Sequence, residues 1–287
     1  FQLATALKEG VPVVAEVAPS FVGQFGPAAT PDKVKAALKL IGFADVVEVG
    51  WGADRGTVEE VHHYAKHVAT GEARFLATSC CPAWSVMAKN EFPEISQYLS
   101  QAYTPMVETA RQSKRPTRTT RWPSSAPAPP KKLEAMRTDI RSDVDFVLTF
   151  EEMDGIFDAR HVDVEKIEED PEGVNDASMD GRNFAVAGGV AKSVVDVIHE
   201  RYPDKEIKVA NAEGLKECRK LLTMAKAGKY NGYLLEGMAC PGGCVAGAGT
   251  MQPIKKSQAS VNLYASKAKH KTSNETEHVK ELDKLVD

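Results

Sequence analysis

Residues 11–50, VPVVAEVAPSFVGQFGPAATPDKVKAALKLIGFADVVEVG, decide the fold class. VPVVAEVAPS (11–20) is a short apolar run that stops at Pro-Ser, the signature of a buried strand running into a turn. TPDKVKAALKLIGF (30–43) carries helix punctuation at both ends. Thr30 suits the N-cap, Pro31 the first helical position, and Gly42 follows the last turn. ADVVEVG (44–50) is a second strand. Working outward, GTVEEVHHYAKHVATGE (56–72) has helical spacing and ARFLATS (73–79) is a third strand leading into Cys80. Strand, helix, strand, helix, strand at this pitch predicts βαβ units and a parallel sheet.

The second half repeats the pattern. DVDFVLTF (143–150) predicts a strand and EEMDGIFDA a short helix; 160–182 is acidic and loop-like. NFAVAGG (183–189) leads into the helix VAKSVVDVIHERY. EIKVANA predicts a strand, GLKECRKLLTMAKAGK a helix, and YNGYLLEGMA (230–239) a strand or turn running into Cys240. The tail from Lys255 is charged and predicts a terminal helix.

The composition is that of a globular domain, 43% hydrophobic and 26% charged over 287 residues. A net charge of −4 gives no global attraction to nucleic acid or anionic membrane. No apolar run is long enough to span a bilayer, and no charged n-region with an apolar h-region opens the chain. Neither nucleic acid nor membrane is expected as a partner, and a cytoplasmic location is. The chain opens on Phe1, which suggests a fragment.

The five cysteines are Cys80, Cys81, Cys218, Cys240 and Cys244. An odd number, with two adjacent, argues against a disulfide framework. TSCCPAW (78–84) and EGMACPGGCVAGAG (236–249) both follow strands, and parallel α/β sheets bind ligands at strand carboxyl ends. Thiolates suit soft iron centres, and glycines let backbone approach a bulky group. A shared metal site and a pair of buried thiols in a Gly-rich turn both fit this spacing. Cys218 lies on an apolar helix face and reads as core. His62, His63 and His67 share a helix with no Cys or carboxylate at ligand spacing, and read as a solvated face. The glycine runs match no nucleotide-binding motif.

TSCCPAW, KKLEAMR followed by DIRSDVDFVLT, and EGMACPGGC, in this order, resemble the catalytic domain of iron-iron (FeFe) hydrogenases from about residue 10 to 252. The AW after CCP and the GAGT after GGC resemble the clostridial-type subgroup. The resemblance implies two α/β lobes, each with a mainly parallel sheet flanked by helices, and an H-cluster in the cleft between them. That cofactor is a 4Fe-4S cubane joined through one cysteine sulfur to a two-iron unit carrying CO, cyanide and azadithiolate. It implies Cys81, Cys240 and Cys244 as cubane ligands, with Cys244 bridging, and Cys80 as the thiol that passes protons to the bridging amine. Lys131 would bond one cyanide and Ser20, beside Pro19, the other; Met238 would pack against the two-iron unit. Glu60 and Ser100 would carry protons outward. The family's next relay glutamate falls at His63 and a second-shell glutamine at Met106, two departures from the pattern. Implied partners are ferredoxin or another electron carrier and the hydrogenase maturation proteins. The matching lobes would be 1–140 and 141–254, with a partly helical tail at 255–287.

The family's fourth cubane cysteine belongs to a G-P-C-x-x-K-K motif after an apolar strand. Lys131 and Lys132 are present, but Ala128 stands at the cysteine position and the strand is missing from the sequence. In its place is RPTRTTRWPSSAPAPP (115–130), without Val, Ile, Leu or Phe. Written in GC-rich codons, APDADDAVAFIGPCAP becomes this stretch, residue for residue, when one G is deleted at the start and one C added at the end. Two compensating frameshifts thus restore both strand and ligand. A Pro-rich linker or a basic patch explains neither loss.

The reaction implied is reversible reduction of protons to hydrogen. The alternatives are a non-catalytic or sensory iron–sulfur relative and a damaged copy lacking the fourth ligand. Cys80 favours catalysis, because a proton-passing thiol has no structural duty.

Overall fold

A computed structural model describes residues 2–113, 123–126, 129–174 and 177–286, with side chains left aside at 113, 123–126 and 282–286. Among the described residues are seven strands: β1 (Val14–Val17), β2 (Asp45–Glu48), β3 (Phe75–Ala77), β4 (Pro123–Ala126), β5 (Phe146–Thr149), β6 (Lys208–Glu213) and β7 (Tyr233–Met238). They form two sheets of order β2-β1-β4-β5 and β3-β7-β6, every pairing parallel. The fold is α/β, as the βαβ spacing predicted.

The sheets interleave along the chain. β3 belongs with β6 and β7, while β5 at 146–149 completes the first sheet, so a cut at residue 140 follows neither sheet. A core including Phe21, Leu38, Val46, Phe150 and Phe157 covers the first sheet. Two further clusters, around Trp84, Leu221 and Leu222 and around Val61, Val194 and Ile198, cover the second.

Local sequence accounts for most elements. The helix Pro31–Leu40 starts where expected: Thr30 Oγ1 accepts from Lys33 N at 3.3 Å, and Pro31 stands at its first turn. Thr149 and Glu152 form a reciprocal capping box at the start of Phe150–Ala159. The helix expected from residue 56 begins at Gly50 and continues past His63 as a π-turn over Tyr64–Val68. Its early start needs glycine: a Cβ on Gly52 would stand 2.3 Å from Pro105 O. The helix Pro82–Glu91 was not foreseen, and Pro105–Ser113 is a further helix before the basic run. The segment expected as loop up to residue 182 contains a short helix, Met179–Asn183.

The strand missing from the sequence is present in the fold. β4 lies between β1 and β5, with Glu16 opposite Ser124 and Ser124 opposite Val147. Without it, β1 and β5 would have no common neighbour, and their inner backbone groups would need other partners. Ladder pairing uses backbone atoms, so it forms here despite a sequence, PSSA, that strand propensity disfavours. The linker reading therefore does not hold for 123–126. In the restored frame these four positions read AFIG. Residues 115–122, Pro127 and Ala128 lie outside the described residues.

The tail is anchored. Helices Ile254–Ser266 and Glu277–Val286 follow the second sheet. Tyr264 Oη donates to Glu48 Oε2 at 2.7 Å, and the same buried carboxylate pairs with Arg182 at 2.8 Å. Ser273 Oγ donates to Asp54 at 2.8 Å. No described helix is long and apolar enough to cross a membrane.

Candidate active site

β3 and β7 are neighbours, with Ala77 opposite Leu235, so both cysteine motifs leave the same sheet at its carboxyl end. Cys81 precedes the helix Pro82–Glu91, which Pro82 opens. Trp84 closes this corner: its indole Nε1 donates to Thr78 O at 2.8 Å. β7 delivers Met238 and then a turn whose Gly242 and Gly243 have φ of 98° and 91°. Those values favour glycine, and a Cβ on Gly243 would lie 2.5 Å from Ala187 N. The turn is tied to that loop by Ala187 N to Gly242 O at 3.1 Å and Val245 N to Ala185 O at 3.1 Å. Cys244 then opens a short 3-10 turn.

The first sheet contributes from the opposite side. The chain after β1 turns through Pro19–Phe21, and the helix Pro130–Ala135 follows β4. A pocket of about 580 Å³ is lined by Pro19, Ser20, Met106, Phe184 and, on its far wall, Cys80 and Met238. A second, of about 450 Å³, is lined by Pro82, Pro130, Cys240 and Gly247. Cys80, Cys81, Lys131, Met238 and Cys244 line both. The two pockets therefore adjoin as two chambers with a shared wall of these five residues, Cys244 among them.

The thiols lie within electrostatic reach of one another. Burial pushes the Cys244 thiol up to about 12, with Cys81 adding to the effect. Burial and then Cys81 raise Cys240. Among the described residues no three acidic, Cys or His groups converge on one point as for a single ion; the cysteines instead line chamber walls. The donor set suits a polynuclear soft-metal cluster better than a lone cation. Ser20 fits a bound group too: it is fully buried and its Oγ has no partner.

Lys131 reaches in from the first sheet, its Nζ donating to Cys80 O at 3.3 Å and pairing with Glu134 at 2.7 Å. Burial opposes its charge, but Glu134 outweighs burial and the lysine is held above its ordinary value.

Behind Cys80 lies Glu60, which lines neither chamber. Burial raises its carboxyl to about 7, while a hydrogen bond with Ser100 pulls the other way. Glu60 Oε2 has no partner. Burial, then the charge of Glu60, raises Cys80 well above the usual thiol range. Cys80, Glu60 and Ser100 thus influence one another in turn; Glu60 and Ser100 are buried, and of the three only Cys80 lines the cavity. Glu236, also raised to about 7 by burial, accepts from Gly188 N and Ala191 N at 2.7 Å each. It fastens the start of the helix Gly189–Arg201, a role the sequence reading missed although Glu236 opens EGMACPGGC.

Other expectations divide. Cys218 is core, fully buried, its Sγ 3.6 Å from Ala212 O and Met238 O. His63 and His67 stack at 4.9 Å, and His67 pairs with Glu72 at 2.8 Å; none of the three lines the cavity. Met106 does line it. Glu134 was also missed, although its spacing after Lys131 puts both on one helix face.

The family profile described as "Iron only hydrogenase large subunit, C-terminal domain" matches residues 11–248. The chain belongs to the FeFe hydrogenase large-subunit family. The periplasmic Fe hydrogenase large subunit of Nitratidesulfovibrio vulgaris is 28% identical over 78% of this chain and 63% of its own length. Iron hydrogenase 1 of Clostridium pasteurianum is 28% identical over 76% of this chain and 45% of its own. The nuclear prelamin A recognition factor of Xenopus laevis is 22% identical over 84% and 65%. The chain therefore spans about half to two thirds of the length of the curated relatives it matches. A solved FeFe hydrogenase HydA1 variant from Chlamydomonas reinhardtii superposes with a TM-score of 0.76 at 22% identity, covering 98% of this chain and 93% of that one.

Proposed function

We propose that this chain is the catalytic domain of an FeFe hydrogenase, reducing protons reversibly to hydrogen with electrons from ferredoxin or a similar carrier. The observation that carries the reading is the two-chambered cavity, with Cys81 and Cys244 on both chambers and Cys240 on the second. When bound, the H-cluster would supply the redox chemistry and the site of hydrogen formation. Cys81, Cys240 and Cys244 would hold the cubane in the second chamber, Cys244 bridging to the first. Ser20 and Lys131 would donate hydrogen bonds to the cyanides there, with Pro19 and Met238 packing beside them. Ser20 supports this with a buried hydroxyl that no protein group uses. Cys80 would hand protons in, replenished by Glu60 and Ser100, directly or through one water.

The fourth thiolate belongs to the restored reading of residues 115–130. β4 supports that reading, because a central parallel strand stands where the restored frame writes AFIG. Maturation proteins would insert the two-iron unit. A cytoplasmic site remains our reading, although one relative is named periplasmic.

The test is to mature the chain anaerobically with hydrogenase maturation proteins and record its infrared spectrum. Bands of iron-bound carbon monoxide and cyanide are expected; bound iron without them would favour the sensory or non-catalytic iron–sulfur reading instead.

A further inference from the structure

The relay ends at Ser100, and in this chain the next step outward is not the histidine pair. His63 is turned toward His67, and that pair toward Glu72 at the protein surface. Ser100 instead forms part of the wall of a polar cleft of about 790 Å³ that opens to solvent.

The cleft is built from firm elements. Ser100 N donates to Ala77 O at 2.7 Å, which fixes the serine to the end of β3. Its Oγ accepts from Ala102 N at 3.2 Å. The opposite wall is Glu134, 3% exposed, whose Oε1 accepts from Thr104 Oγ1 at 2.5 Å. Arg137 and Asp139, paired and about half exposed, stand at the mouth. Polar walls with room between them are the conditions under which water occupies a protein cleft. One bridging water is a competent proton carrier between groups beyond direct reach.

We propose that the cleft walled by Ser100, Thr104, Glu134 and Arg137 is the solvent port of the Glu60–Ser100 pair. This rests on the hydrogenase reading above. Water in the cleft takes the place of a further side chain. An inbound proton passes from cleft water to Ser100 Oγ as the serine hydroxyl gives its own proton to Glu60. The serine ends in its starting state, and Glu60 holds the incoming proton as its carboxylic acid. The direction reverses for hydrogen uptake.

The test is to plug the cleft without touching the relay. Ala102→Phe fills it from the wall; Gln101→Trp, at an exposed position of the same wall, is the second plug should the first fail to fold. Two quantities are read. One is hydrogen evolution by the matured chain. The other is the rate at which the Glu60 carboxyl exchanges hydrogen for deuterium in the cofactor-free chain, followed by infrared and identified by its loss in Glu60→Gln. Both should slow by about tenfold or more in a plugged chain, with bound iron unchanged, while His63→Gln leaves both as they were. Normal exchange in a folded, plugged chain overturns the port, as does slowing by His63→Gln alone. The cofactor-free exchange decides this even if the matured chain evolves no hydrogen, an outcome that would sink the hydrogenase reading instead.

Discussion

Gly237 lies against the indole of Trp84 so closely that a Cβ at 237 would stand 2.2 Å from Cδ2 of the ring. The tryptophan of one cysteine motif thus packs on the glycine of the other, fixing the CCP turn to β7. Trp84 is fully buried and hydrogen-bonded, and cannot swing away. Gly237→Ala should therefore destabilise the cofactor-free chain by about 3 kcal/mol, measured by urea unfolding. A loss below about 1 kcal/mol would mean that the two motifs are not rigidly joined.

Ser20→Ala separates holding a ligand from holding the fold. A buried hydroxyl without a partner costs stability, so its removal should leave the cofactor-free chain as stable or about 1 kcal/mol more so. The same variant should shift the infrared cyanide bands of the matured chain. Destabilisation of the cofactor-free chain would instead make Ser20 a structural residue.

Glu60 predicts a pH dependence with a definite sign. Its folded value, about 7, lies above its ordinary 4.5. Its contribution to stability is complete below the unfolded value and is lost as pH rises through about 7, because the folded chain must then bury a charge. Glu60→Gln should therefore gain on the parent between pH 5 and pH 9, by on the order of 2–3 kcal/mol. Parallel stability curves for the two chains would contradict the burial assigned to Glu60.

Residues 115–130 give a prediction about the strand. Replacing them with APDADDAVAFIGPCAP puts apolar residues into the central position of β4 and a thiol at 128. The melting temperature should rise, and reconstituted iron should survive gel filtration better than in the printed sequence. Equal iron retention by both chains would show that three cysteines suffice.

The pair β1 and β2 was legible because a helix with clear start and stop signals, Thr30, Pro31 and Gly42, separates them within the chain. The cysteine turns were legible because strand runs lead straight into Cys80 and Cys240. β4 was not, since Pro123, Ser124 and Ser125 carry no strand signal and only its neighbours β1 and β5 define its place. Nor was the interleaving of the sheets, because helical spacing between strands does not say which sheet each strand joins. Residues at the site were missed where tertiary packing decides their role. Glu236 and Glu134 look like ordinary surface carboxylates in sequence. Only the folded chain puts one over the start of the helix Gly189–Arg201 and the other against Lys131.

The most direct measurement is hydrogen evolution from reduced methyl viologen by the anaerobically matured chain, beside Cys80→Ala. The account predicts evolution by the parent, and loss of all but about a hundredth of it in the variant, with bound iron and infrared bands retained. Undiminished evolution by Cys80→Ala, or none by a parent that carries those bands, would contradict the account.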